Sequence, residues 1–475
     1  MMNRIQIKES LLPVPGGIRE MLAIAIPMVV SHACDTFMTF TDRMFLSRLG
    51  PEIMNAAMGG GIMASIMISF FMGLIGYSTA LVAQYLGAGR KNACPLVTTQ
   101  AFLLVIVAYV LILLLKPLAI DFFNLMRIPQ EQIGPQTLYF NIIVFGTIMG
   151  LFRVALSSYF SGIGRTRVVM AASLSAMVVN IFLNYIFIYG KLGFPAMGIR
   201  GAAYGTLLGG LVSIIILFSG YFGRKNRREF NVGKSFRFYP QIVKKLLHFG
   251  YPAGLEFMLT FFAFNLMILI FHSMGNVTAT ATTIMFNWDM VSYVPLVGIE
   301  VGVTSLVGRY MGARDIPTAK KAAFSGLKVG AIYSLLTVIL FVFFPKQLVH
   351  VFRPAASSAV FDQAVPIAVF MLRIAAVYVT VEAVIITFIG VLRGAGDTRW
   401  AMIVSVAMHY LMAGGIFIIL KVLKLSPEIA WVVVVLVFTS LSVVFYLRFR
   451  SGKWEKIRIV ESNIPGTGNF ETPEQ

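Results

Sequence analysis

The chain has 475 residues, 58% of them hydrophobic and 12% charged, with 39 Lys and Arg against 20 Asp and Glu for a net charge of +19. A mean hydropathy of +0.83 over that length excludes a water-soluble globular domain and points to an integral membrane protein. A basic excess can also signal nucleic-acid binding, but here the basic residues lie between apolar runs, where they orient helices against anionic lipid. Membrane lipids, and no nucleic acid, are therefore the expected surroundings.

Residues 1–17 are polar, without a cleavable signal pattern or a lipidation motif, so the first span is expected to be retained. Apolar runs broken by Gly, Pro and charge clusters then predict twelve helices, over 18–46, 54–84, 92–115, 134–160, 167–189, 199–222, 242–273, 277–308, 317–344, 364–391, 397–421 and 427–448. The polar tail from Ser451 is expected to be disordered. Cys34 and Cys94 offer no disulfide framework or metal spacing and read as small apolar fillers.

The first span, IAIPMVVSHACDTFMTFTDRMFLSRLG from Ile24 to Gly50, is the one on which the reading turns. It carries Asp35 and Asp42, two helical turns apart on one face with Thr39 near the same stripe. A carboxylate in hydrocarbon costs several kcal/mol unless it faces a polar cavity, a partner or a transported ion. The plainer alternative is an acid near a helix end reaching the headgroups, and it weighs more for Asp42, flanked by Arg43 and Arg48, than for the deeper Asp35.

Orientation follows from alternate connections: with the N-terminus inside, inner segments hold 26 of the 39 Lys and Arg and outer ones nine, so both termini are expected to be cytoplasmic. The basic stretch RKNRREFNVGKSFRFYPQIVKK divides the chain near its middle, and the two sides repeat. Pro27 of AIPMVV matches Pro252 of GYPAGL, and Tyr85 of ALVAQYLGAGRKN matches Tyr310 of SLVGRYMGARDIP, both at an offset of 225; Gly164 and Gly396 match at 232. Six helices separate the copies, so the halves share an orientation and should be related by an axis along the membrane normal, enclosing a central cavity. The division is a tail (1–17), a first lobe (18–222), a linker (223–241), a second lobe (242–450) and a polar tail (451–475).

The acids do not repeat. Asp35 and Asp42 plus 225 fall on Thr260 and Met267, and Glu256, Asp289, Glu300 and Glu382 have no carboxylate at the matching first-half positions. In VVNIFLNYIFIYG, Asn180 and Asn184 are one turn apart, and with Asp42 they offer carboxylate and amide oxygens of the kind that hold a proton or a sodium ion. For Asn180 alone, bonding to a neighbouring helix is as good an account. Glu382 in the middle of helix 10 is the favoured acid of the second half; Glu256, near Pro252, divides evenly between structure and function; Asp289 and Glu300 can pair with Arg373 or line the cavity. His32, His272 and His409 read as packing or interhelical bonding residues. Met and aromatic walls suit apolar, cationic substrates.

On TDRMFLSRLG, ALVAQYLGAGRKN, VVNIFLNYIFIYGKLGFPAMGIRGAAYGT, SLVGRYMGA and VLRGAGDTR, in that order and spacing, the chain resembles the multidrug and toxic compound extrusion (MATE) family from about Ile24 to Leu447. The resemblance implies an all-α fold of twelve transmembrane helices in two pseudo-symmetric six-helix lobes, and antiport of organic cations and amphiphiles against H+ or Na+, with no other cofactor. Asp42 matches the family's helix-1 acid, Asn180 its helix-5 asparagine and Glu382 an acid found on helix 10 in some subfamilies. Two departures stand out. Asn184 replaces an acid common one turn after that asparagine, and Thr260 replaces an acid eight residues after the helix-7 proline, with Glu256 a turn earlier. Asp35 is an extra acid that can compensate. The expected protein is a monomeric exporter of the inner or plasma membrane. Flipping of lipid-linked saccharides, as in distant relatives with similar halves, is the second reading and needs a more basic cavity than Arg43, Arg153 and Arg373 provide. The chain has no HExxH, no GxSxG and no paired catalytic aspartates in a recognised context, which argues against an enzyme, and the two-lobe repeat argues against a channel.

Overall fold

A computed structural model describes residues 14–125, 129–354 and 358–460. Among these, all regular structure is helical. Twelve helices are long and apolar enough to cross a membrane: α1 Ile18–Ser47, α2 Glu52–Gly87, α3 Ala93–Leu125, α4 Glu131–Gly162, α5 Thr166–Tyr189, α6 Ile199–Phe222, α7 Pro240–His272, α8 Asn276–Gly312, α9 Ile316–Phe343, α10 Ala359–Ala395, α11 Thr398–Val422 and α12 Pro427–Arg450. The sequence-predicted spans match these in number and order. The differences are at ends: α3 runs ten residues past its expected end, and α8 and α10 each reach 37 residues. At 1.5 Å per residue 37 residues span about 55 Å, well beyond the hydrocarbon thickness, so α8 and α10 project past it or tilt. Arg309 and Arg393, read from sequence as loop residues, therefore lie within helices.

Packing separates two interiors. One buried apolar cluster is built from α2 to α6, with Met28 of α1 and Ile242 and Leu246 from the start of α7; the other is built from α7 to α12 with Met21, Ile24 and Ala25 of α1. The backbone repeats as the sequence does. After α2, Gly89 takes φ +75° and Arg90 N–H closes on the Tyr85 carbonyl at 2.9 Å; 225 residues on, Arg314 takes φ +61° and Asp315 N–H closes on the Tyr310 carbonyl at 2.9 Å. The later pair behaves alike: Gly164 and Gly396 have φ of +76° and +98°, and the N–H groups of Arg165 and Asp397 bond Phe160 and Leu392 carbonyls. Each position ends a membrane helix in the left-handed conformation that satisfies its last carbonyls.

Each lobe is closed by a segment folding back on it. In the linker, Arg224–Phe230 is a short helix with Phe230 buried, and Asn226 Oδ1 accepts from Tyr159 Oη at 3.1 Å. Arg165 donates to Glu229 at 2.5 Å and holds that carboxyl below the usual carboxylate range. The expectation of a disordered tail from Ser451 is corrected for its first ten residues: Trp454 is fully buried, stacks on Phe449 and donates Nε1–H to its carbonyl at 2.9 Å, and Ile459 packs on the Gly396 turn. A large aromatic surface near the helix end outweighs the polarity of its neighbours. Residues 461–475 lie outside the described residues.

The lobes meet in the half of the molecule that carries both ends of the described chain. Gly73 and Leu74 of α2 pack on Ala253, Gly254 and Gly250 of α7, and Gly298 and Gly302 of α8 lie against Val29 and Met21 of α1. A Cβ at Gly73, Gly250, Gly254 or Gly298 would run into backbone of the facing helix, which is how these helices approach so closely. Glu20 accepts from Arg309 Nη1 at 3.3 Å and from Tyr310 Oη at 2.7 Å, Gln84 Nε2 donates to the Gly394 carbonyl at 2.8 Å, and Ser305 Oγ donates to the Ser161 carbonyl at 2.7 Å. The four seam helices are thus α1, α2, α7 and α8. Their opposite halves carry exposed Phe37, Phe40, Phe257, Phe262 and Met290.

Candidate functional site

Asp42 sits in the far half of α1, buried, where α5 and α6 meet it. What brings those helices together is a run of glycines on α6: Gly201, Gly205 and Gly209, four apart, lie against Phe187, Asn184 and the backbone around Asn180. A Cβ at Gly205 would overlap the Asn184 side-chain oxygen. That close approach delivers both asparagines to Asp42. Asn184 Nδ2 donates to Asp42 Oδ1, Thr206 Oγ1 donates to Oδ2 at 3.0 Å, and Asn180 Nδ2 donates to Thr206 Oγ1 at 3.3 Å. Asn180 and Asn184 are both fully buried, and the Oδ1 of each has no hydrogen-bond donor. One carboxylate, one hydroxyl and two unspent amide oxygens form an oxygen-rich set that fits a proton or a small hard cation. Sequence reasoning named Asp42, Asn180 and Asn184 and missed Thr206, although the G-x-x-x-G spacing that frames it was readable.

Asp35 does not join this set. Its carboxylate takes a two-pronged ion pair from Arg153 of α4, Nη1 to Oδ1 and Nη2 to Oδ2, both at 3.0 Å. Fork-to-fork pairing neutralises it in place and leaves little for a coupling cation. Thr39 donates to the Asp35 carbonyl at 3.1 Å, and His32 beside it is packed among other residues with Nε2 unpartnered.

In the second lobe the acids divide into two groups. Glu256 of α7 and Glu300 of α8 share one guanidinium: Arg393 Nη2 donates to Glu256 Oε2 at 3.4 Å and Arg393 Nη1 donates to Glu300 Oε1. Ser405 Oγ completes the group at 2.9 Å from Glu256 Oε1. The expected partner of Glu300, Arg373, is exposed; Arg393 takes its place because α10 extends four residues past its expected end. Thr260 hydrogen-bonds only within its own helix, to the Glu256 carbonyl at 2.6 Å and to that of Phe257. The second group is Glu382, buried on α10, whose Oε1 accepts from Tyr378 Oη at 2.9 Å while Oε2 has no partner. Asp289 of α8 is also buried, with Oδ1 unpartnered. Tyr378, one turn before Glu382, could have been found from helical spacing alone. No cluster of three or more His, Cys, Asp or Glu suited to a metal occurs among the described residues.

Two six-helix lobes with matching turns, sealed together over one half and carrying buried carboxylates in each, define the class of two-lobed membrane transporters. The MatE family model matches residues 27–186 and 252–414, once in each lobe, and the chain belongs to the MATE family. It is 28% identical over 459 residues to the probable multidrug resistance protein NorM of Thermotoga maritima, covering 93% of this chain and 94% of that one. It is 26% identical over 441 residues to the multidrug resistance protein MdtK of Yersinia enterocolitica, covering 91% and 95%. Among solved structures, an outward-facing multidrug resistance MATE family transporter of the MOP superfamily superposes with a TM-score of 0.83 at 22% identity, covering 94% of this chain and 98% of that one. The MOP superfamily transporter from Pyrococcus furiosus, also at 0.83 and 22%, was described with a binding pocket of reverse polarity.

Proposed function

We propose that the protein is a cation-coupled exporter of organic cations and amphiphilic drugs, working by alternating access between lobes 18–222 and 242–450. The observation that carries this reading is the Asp42 group, a buried carboxylate framed by Asn184, Thr206 and Asn180 with two amide oxygens left unspent. Such a set binds H+ or Na+ and releases it when the helices around it shift. Family membership and the multidrug resistance relatives support the export of drugs.

The lobes seal over the face that carries both chain ends, and we place that face in the cytoplasm on the strength of its Lys and Arg excess. The protein then stands open to the outside as a monomer in the inner or plasma membrane, with aromatic and Met side chains of the seam helices bordering the gap. Amphiphilic cations suit such walls. An ion taken up at Asp42 from outside favours the return to the inward-open form, and substrate binding there favours export; opposite preferences for two conformations suffice for exchange. Lipid-linked saccharide transport is less well supported, since Arg153 of α4 is already neutralised by Asp35.

The test is flux of a fluorescent organic cation in liposomes containing the purified protein, with a pH gradient and a sodium gradient imposed separately. Flux driven by one gradient supports antiport and names the ion. Folded protein that gives no flux with either overturns the reading.

A further inference from the structure

A crevice of about 620 Å³ opens between the start of α7 and the start of α11, on the half of the molecule where the chain ends lie. Two stripes of α7 line it. Val243, Leu247 and Tyr251 follow one another at four-residue spacing, an apolar track of about 12 Å along the helix. Beside them run Lys244 and His248, also four apart, and Arg399 in the first turn of α11 faces them, its Nη2 3.5 Å from His248 Nδ1. Lys244, Leu247, His248, Tyr251 and Arg399 are all exposed. No carboxylate lines the crevice: Asp397, two residues before Arg399, is buried and ion-paired with Arg448 at 2.7 Å, and Glu256, one turn past Pro252, is bonded to Arg393 and Ser405.

We propose that this crevice binds an anionic glycerophospholipid of the leaflet on that side, its phosphate held by Lys244 and Arg399 with His248 between them and an acyl chain laid along Val243, Leu247 and Tyr251. Charge and shape both select this occupant. The basic groups stand at the ends of two membrane helices, at headgroup depth, and the apolar track leads from them toward the hydrocarbon. A free anion would use only the first part of the site, and a zwitterionic lipid would bring a cation to a cluster that has no acid to receive it.

Native mass spectrometry of the full-length protein in neutral detergent, titrated with phosphatidylglycerol and with phosphatidylcholine of the same chains, tests the proposal. Phosphatidylglycerol is expected to be retained preferentially. Each basic residue near an anionic lipid contributes roughly fivefold, so K244Q/R399Q should bind it about 25-fold more weakly. K225Q/R228Q, with the same charge change at exposed linker positions on the same face, should not change retention. Equal loss in the two double variants would reduce the effect to diffuse surface charge and overturn the site. Displacement of the lipid by inorganic phosphate, or by the deacylated headgroup at equal concentration, would show a plain anion site and overturn the lipid assignment. Should the double variant fail to fold, K244Q alone carries the test with about a fivefold loss expected.

Discussion

The two lobes share a backbone and differ in what they do with acid. In the first, Asp42 is surrounded by neutral donors and by amide oxygens with capacity to spare, the arrangement on which the proposed cation site rests. In the second, Glu256 and Glu300 already have their cation in Arg393, and what remains is Asp289 and Glu382, buried carboxyls each with an unpartnered oxygen, with Tyr378 donating to Glu382. The matched turns are fixed by backbone sterics that the repeat preserves. The polar side chains at the centre are not under that constraint, and they differ between the lobes.

The largest expected effect sharpens that division. Asp42→Asn should reduce coupled flux to the level of protein-free liposomes while the protein remains folded in the membrane, because the amide carries no charge with which to bind and release an ion. Glu382→Gln should lower the rate but leave the same ion able to drive flux. If the two variants exchange these behaviours in the gradient assay, coupling belongs to the second lobe and the comparison is reversed.

Next comes the triad of Glu256, Glu300 and Arg393, buried but for part of the guanidinium. Arg393→Met leaves Glu256 and Glu300 without a cation and should destabilise the protein by about 4 kcal/mol, read as a lowered thermal midpoint in detergent. The triple variant E256Q/E300Q/R393M should recover most of it, since no charge is then stranded. Failure of that recovery would mean the triad contributes more than mutual neutralisation. The closing segments offer a paired test of smaller size: Trp454→Ala and Phe230→Ala each empty a buried aromatic site at the end of one lobe and should each cost about 3 kcal/mol.

Much of this was legible in the sequence for physical reasons. Span number and order follow from the length of apolar chain needed to cross a bilayer, and the repeat follows from Pro27 and Pro252 and from Tyr85 and Tyr310. Asp42, Asn180 and Asn184 were found because polar groups in hydrocarbon are costly enough to stand out. Partners were not. Arg153 for Asp35 and Arg393 for Glu300 lie 118 and 93 residues away, and Arg393 was hidden further by a helix end drawn too early. Thr206 was overlooked because a threonine in a membrane helix is unremarkable until the glycine beside it brings another helix within bonding distance. Trp454 was lost inside a charged tail whose average polarity concealed one large apolar side chain.

The smallest effect tests the repeat itself. Gly89 and Arg314 occupy the same left-handed position in matched turns, with φ of +75° and +61°, yet one is the residue best suited to that conformation and the other is not. A Cβ at Gly89 would meet nothing within 4 Å, so a side chain there is opposed by backbone conformation alone. Gly89→Arg should therefore cost about 1 kcal/mol, and Arg314→Gly should stabilise by a similar amount or somewhat less, since glycine also gains freedom in the unfolded chain. Opposite signs in thermal unfolding would show that the two turns are one structure with different residues placed in it. Loss of stability in both would mean that the Arg314 side chain makes a contribution large enough to offset its strain, and that the second lobe has diverged at its turns as well as at its acids.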